Sequence, residues 1–358
     1  MDRRSFLKTS SAAAAATATG GAVAAEAGAH AEPAAPAVIA GVQELTLSLP
    51  WPDDIAGLGD QAMRLVRRIE TATGGRYRIH VKAGADTDGI AAIRSGAADL
   101  YHGTEHDHLA HHPAFAWFAG LPCATGLAPH DLEAWLTIDG GQMLWDELAA
   151  DFGVKALLVG HDGARPGLWS EKSISGLADL AEQKIYVRGL AREVVRGVGA
   201  EPAEATAATL APALASGEIF AAEWGGALQS LAIGLPRVAQ HRTGDGINTS
   251  GTALSLGMRR SLWEAMSNSD RTIFEACATA ELRLSLAEAR THERALCGML
   301  AEAHGVRFEP FPADLAATLS RVAEAVVAHA AGKDSTAQRI NASYMTFRAA
   351  VAGTEATA

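Results

Sequence analysis

At 358 residues, with 48% hydrophobic residues and a formal charge of −11, the chain is long enough for about two soluble domains. The acidic balance argues against nucleic acid or an anionic membrane as the main partner, because both reward basic surfaces. No apolar run beyond the N-terminus reaches the roughly 18–20 residues that span a bilayer. Three scattered cysteines, Cys123, Cys277 and Cys297, are not a disulfide framework and read as buried free thiols.

The chain opens on "MDRRSFLK", where Arg3–Arg4 precede Ser5, Phe6 and Leu7, followed by a weakly hydrophobic, Ala-rich stretch. This pattern is that of a twin-arginine export signal, with small-residue cleavage near Ala29-His30-Ala31. No cysteine stands there, which argues against a lipid anchor. Residues 1–40 are therefore set apart from the fold as signal peptide and flexible segment.

"ELTLSLPW" alternates Leu45, Leu47 and Leu49 with polar residues and reads as a strand. Asp53–Asp54 open a helix that ends at Gly74–Gly75. "RYRIHVKAG" is a second strand, and "TDGIAAIRSGAADLYHG" gives a short helix and a third strand. This β-α-β-α-β rhythm predicts a parallel sheet with helices on both faces. A second cycle follows: "GVKALLVG" strand, "SISGLADLAEQ" helix, "KIYVRG" strand, "AREVVRGVGAEP" helix, then helix and strand in "TLAPALASGEIFAAEW". "GTALSLGM" is a further strand that returns the chain to the first half. The last third is helical, with one helix of about 35 residues from Ser269. Two more helices begin near Pro312–Asp314 and Asp334–Ser335.

No GxSxG elbow, P-loop, GxGxxG fingerprint or HExxH helix is present in the sequence. The dense polar cluster is "YHGTEHDHLAHHP", residues 101–113, which holds five of the 13 histidines. His106 and His108 would share a strand face, His108 and His112 a helix face, and either pair offers two zinc ligands. No third and fourth ligand is evident, so a pocket wall is preferred to a metal site.

The landmarks "WPDDIAGLGDQAMRLVRRIETATGGRYRIHV", "PAFAWFAGLP", "AWLTIDGGQMLWDEL", "SGEIFAAEWGG", "GTALSLGM" and "INASYMTFRAA" occur in one order. From about Leu45 to Arg348 they resemble the solute-binding proteins of tripartite ATP-independent periplasmic (TRAP) transporters, in the branch that binds 2-oxo acids and related carboxylates. The resemblance implies an α/β, two-lobed periplasmic-binding-protein-like fold with parallel-type sheets, a hinge cleft and a helical C-terminal tail. It implies no catalysis, capture of a small organic acid, and delivery to membrane permease subunits from the periplasm. Lobe 1 is expected at 43–165 plus about 253–290, and lobe 2 at 166–252 plus about 291–330. A helix at 334–353 would be a dimerisation element, since this branch is often dimeric through its C-terminal helices; a helix spanning both lobes accounts for the long tail equally well.

In this branch an arginine, a glutamine, an asparagine and a Glu-Trp pair meet the ligand carboxylate. The pair is kept as Glu223 and Trp224. Tyr186 stands at the arginine position, Arg165 at the glutamine and His161 at the asparagine. The aromatic run of the pocket falls on His106, Asp107 and His108, with the family histidine at His102. The histidines then make a polar, pH-sensitive cleft wall. Losing the arginine removes a bidentate anchor, for which Arg165 and Arg188 are the candidate replacements. An Arg165–Glu223 pair would take the place of the bound cation, so no metal or cofactor is expected. The competing readings are a periplasmic ligand sensor and a metal-dependent enzyme using His106 and His108.

Overall fold

The computed structural model describes residues 41–163 and 166–355. The export-signal stretch and Arg165 lie outside the described residues. The first cycle comprises β1 (Gln43–Leu49), α1 (Leu58–Ala72), β2 (Tyr77–Ala83), α2 (Gly89–Arg94) and β3 (Leu100–Gly103). Helices α3 (Ala116–Ala119), α4 (Pro129–Thr137) and α5 (Gly141–Ala150) lead to β4 (Val154–His161). The chain next builds β5 (Leu168–Ser170), β6 (Lys184–Tyr186), α6 (Ala191–Gly197), β7 (Glu201–Pro202), α7 (Leu210–Ala215), β8 (Ala221–Glu223), α8 (Ala227–Ala232) and β9 (His241–Thr243). It closes with β10 (Ala253–Arg259), α9 (Arg260–Ala265), α10 (Asn268–His304), β11 (Arg307–Glu309), α11 (Ala313–Ala331) and α12 (Ser335–Glu355).

Two sheets result, with strand orders β2-β1-β3-β10-β4 and β11-β9-β5-β8-β6-β7. β1 runs parallel to β2 and β3, as the crossover helices require. β10, however, lies antiparallel to β3 and β4, and β5 antiparallel to β8 and β9. These are the strands by which the chain re-enters or enters a sheet from the other one. They arrive at the opposite end from strands delivered by a local helix, so the expected parallel sheets become mixed.

Two expected helices differ. α1 begins behind Gly57, whose N–H donates to Asp60 Oδ2 (3.0 Å), rather than at Asp53–Asp54. In "SISGLADLAEQ" only a single turn forms at Leu177–Asp179, capped by the Asp179 carboxylate on the amides of Ser175 (2.7 Å) and Gly176 (3.2 Å), and the chain leaves helical geometry at Glu182 (φ +61°).

α10 runs 37 residues and serves both halves. Phe274, Cys277 and Ala278 pack into the core of the first sheet with Val159 and Met258, while Leu300, with Leu296 and Met299 beside it, joins the core under the second. Complete burial of a side chain such as Phe274 contributes roughly 1.5–3 kcal/mol. α12 lays Ala337, Ile340 and Tyr344 onto the first sheet's helical layer, where Tyr344 Oη accepts the Leu127 N–H (2.7 Å). All three cysteines are free, Cys123 and Cys277 buried and Cys297 partly so. Among the described residues no helix is long and apolar enough to cross a membrane.

Candidate functional site

β4 leaves the first sheet at His161 and β10 re-enters it at Ala253, so two connecting segments run side by side between the sheets. Asp162 N donates to Thr252 O (3.0 Å), and Thr252 N donates back to Asp162 Oδ1 (2.6 Å). His161 Nδ1 accepts from Gly163 N (3.1 Å). Gly251, at φ +73°, sits where the segments touch, and any Cβ there would overlap the Gly163 carbonyl.

A cavity opens beside this crossing. Trp51, just beyond β1, and Leu254 line it from the first sheet; Asp162, Pro166, Asn248 and Thr252 come from the crossing segments; Arg188, Glu223 and Trp224 come from the second sheet. Burial pushes the Asp162 carboxyl up to about 7, against the stabilising bonds from Thr252. Burial also pushes Glu223 up to about 7, although Asn248 donates to it through both N (3.0 Å to Oε2) and Nδ2 (2.7 Å to Oε1). The indole N–H groups of Trp51 and Trp224 and the Oδ1 atom of Asn248 are buried without a partner among the described residues. Buried polar atoms in that condition mark a place for a ligand or water.

Arg188 is the cationic side chain of this lining among the described residues. Its guanidinium lies 5.7 Å from the Trp224 ring centroid, in cation–π range, and Nη2 is 3.3 Å from each carboxylate oxygen of Asp107. Burial works against its charge, but Asp107, with Tyr186 and Asp162, outweighs burial and holds its pKa above the ordinary value. Burial raises the Asp107 carboxyl, partly offset by Arg188. Beside this pair His106 packs onto Gly189, whose φ of +63° and close contact leave no room for a Cβ. Residues following β3 thus meet residues following β6, and Arg188 separates the cavity from a wider outer groove that it also lines.

The structure brings Glu223, Trp224 and Arg188 together in the cavity, with Tyr186 behind Trp224 (ring centroids 6.1 Å) and His106 at the outer groove. His161 fastens the crossing instead of lining the space. His108 turns inward: Nδ1 pairs with Glu105 Oε2 (2.9 Å) and the ring packs on Tyr101 and Phe115. The reason is local, since Glu105–His108 forms a 3₁₀ turn, and three residues per turn put i and i+2 on different sides. Burial lowers His102 to about 4 and His161 to about 3; burial, then Arg188, lowers His106 to about 3, whereas for His108 burial is outweighed by Glu105, with Asp107 and Asp88, which raise it. The first three are neutral at physiological pH. Asp162, Asn248 and Trp51 were not singled out from the sequence, although Trp51 opens a quoted landmark and Asp162 follows a candidate residue directly.

Residues 56–333 match the bacterial extracellular solute-binding protein family 7, DctP. The chain belongs to that family. A monocarboxylate 2-oxoacid-binding periplasmic protein from a Nostoc species is 26% identical over 308 residues, covering 84% of this chain and 83% of that protein. The fold is similar to a TRAP transporter solute-binding protein from Bordetella bronchiseptica (TM-score 0.84, 22% identity, 89% of this chain and 95% of that one), which holds copurified calcium and picolinate. A second such protein, from Pseudoalteromonas atlantica, carries sodium and pyruvate (TM-score 0.81, 20% identity, 87% of this chain and 95% of that one). At these identities the structural likeness establishes the fold of a DctP-type protein. Family and fold are those of transport solute-binding proteins, not of enzymes. Among the described residues no group of three or more His, Cys, Asp or Glu side chains is placed to hold a metal ion.

Proposed function

We propose that this DctP-family chain is the extracytoplasmic capture subunit of a TRAP-type transporter, which takes a small monocarboxylate into the cavity between its two lobes and delivers it to a membrane permease. The observation that carries the reading is the donor set of the cavity: the Arg188 guanidinium together with the indole N–H groups of Trp51 and Trp224, which have no partner among the described residues. A carboxylate accepts from such donors, and the guanidinium bond is charge-assisted. The 2-oxoacid-binding relative and the pyruvate-bearing neighbour support the chemical class.

Export by the twin-arginine route into the periplasm, lobe limits at 43–165 with 253–290 and at 166–252 with 291–330, and pairing of two copies through 334–353 belong to the same proposal. The dimer of the Bordetella neighbour supports the pairing. Arg165 would add a second charged contact from the crossing segment, with Tyr186 and His106 shaping the entrance. Asp162, Glu223 and Asn248 bring side-chain oxygens to the same lining, beside the Arg188 guanidinium, and a cation held together with the ligand, as in the calcium- and sodium-bearing neighbours, would take further oxygens from the bound carboxylate itself.

Tryptophan fluorescence titration with pyruvate and other short monocarboxylates tests this reading, because Trp51 and Trp224 line the cavity. Arg188→Gln should weaken binding by about 10- to 100-fold with an unchanged circular dichroism spectrum. Unchanged affinity would remove Arg188 as the anchor.

A further inference from the structure

Asn248 carries one more piece of information about the ligand. Its Nδ2 donates to Glu223 Oε1 (2.7 Å) and to the Arg188 carbonyl (3.3 Å). The Arg188 carbonyl accepts at any pH and Glu223 accepts when ionised, so turning the amide over would set oxygen against oxygen at the carbonyl in every case; the neighbours favour this orientation. That leaves Oδ1 as an acceptor on a side chain only 2% exposed, lining the cavity, with no donor among the described residues. An amide does not titrate, so this acceptor persists at any pH.

The cavity therefore asks for two things at once. Arg188, Trp51 and Trp224 offer donors, which a carboxylate satisfies. Asn248 Oδ1 needs a donor in return. A 2-oxo acid brings acceptors alone, and its ketone oxygen would leave Asn248 Oδ1 unpaired or oppose it. We infer that the cavity is built for a small carboxylate bearing an O–H or N–H donor next to the carboxylate, a 2-hydroxy or 2-amino acid, in preference to the corresponding 2-oxo acid, with Asn248 Oδ1 accepting that donor. The Asp162 and Glu223 carboxyls lie in the same lining and add acceptors on that side when ionised, above about pH 7. The inference rests on the carboxylate reading above and narrows it.

The test is isothermal titration calorimetry of the full chain, stripped of retained ligand, against lactate, alanine and pyruvate in sodium-free buffer with EDTA. Lactate offers a neutral hydroxyl and alanine an ammonium, which also cancels the net charge of the acid beside Arg188, and pyruvate has no donor. The expected result is that lactate or alanine binds about tenfold or more tighter than pyruvate. Whichever of the two is tighter identifies the donor as hydroxyl or amine. Asn248→Ala should bring the preferred acid and pyruvate to within about threefold of each other. Pyruvate binding as tightly as either partner overturns the inference and leaves the carboxylate reading standing. Pyruvate becoming the preferred acid when sodium or calcium is restored also overturns it, because Oδ1 would then serve an ion. Failure of every carboxylate to bind overturns both readings.

Discussion

At the crossing end of the cavity Arg242 is 2% exposed, yet its donors are used: Nε and Nη2 reach the Pro166 carbonyl (3.3 and 3.2 Å) and Nη1 reaches Glu293 Oε1 (2.7 Å) on α10. At the mouth His106 is nearly as enclosed, at 6%, and neither ring nitrogen has a partner among the described residues. The same contrast separates Asp162, bonded to the neighbouring segment, from the indoles of Trp51 and Trp224. Satisfied polar groups fix a geometry, whereas buried unsatisfied ones carry a free-energy deficit that a ligand can remove. The back of the cavity is thus finished by the protein itself, and the side facing the ligand is left incomplete.

That contrast is most directly broken at Arg242. Arg242→Leu would strand the Pro166 carbonyl and leave the partly exposed Glu293 carboxylate with the Ala227 N–H (2.8 Å) and the Cys297 thiol (3.4 Å), and should cost about 3 kcal/mol of unfolding free energy, chiefly from the unsatisfied carbonyl and the lost packing, read by urea denaturation. An equally stable variant would mean that the crossing is held by packing alone. A smaller effect, of roughly 2–3 kcal/mol at pH 8, is expected in the opposite direction from Asp162→Asn in the ligand-free protein. A carboxyl whose folded pKa is about 7 binds more protons folded than unfolded between its unfolded value and that pH. Its contribution is therefore fully present at low pH and is lost as pH rises toward 7 and beyond. Asparagine retains an oxygen for the Thr252 N–H and removes the titration. Thermal melts from pH 5 to 8 should show a flatter profile for the variant, and an identical slope would dismiss Asp162 as the source. Smallest of all, His106→Leu, closer to the imidazole in volume than a phenyl ring is, should change stability by less than about 1 kcal/mol, since the ring is neutral and its nitrogens have no partner among the described residues. A large loss would show that the mouth is finished after all.

Much of the architecture is written in local pattern. The alternation of Leu45, Leu47 and Leu49 and the uninterrupted 37-residue run of α10 announce themselves because the pattern is carried along a single element. Glu223, Trp224 and Arg188 could be named as candidates because they sit at or just beyond the ends of short strands, a position the strand pattern marks. Asn248 and Asp162 could not, because their roles come from two segments 86 positions apart that meet only in the folded chain. His108 could not be separated from His106 without knowing that a 3₁₀ turn divides them.

Gly189 has a consequence for the contact between the residues after β3 and those after β6. The seat for His106 is a missing side chain, so the two segments meet there with no spare clearance at all. One methyl group at position 189 would act as a wedge, prising His106 off its seat while Trp51, Glu223, Trp224 and Asn248 kept their places on the far side of Arg188.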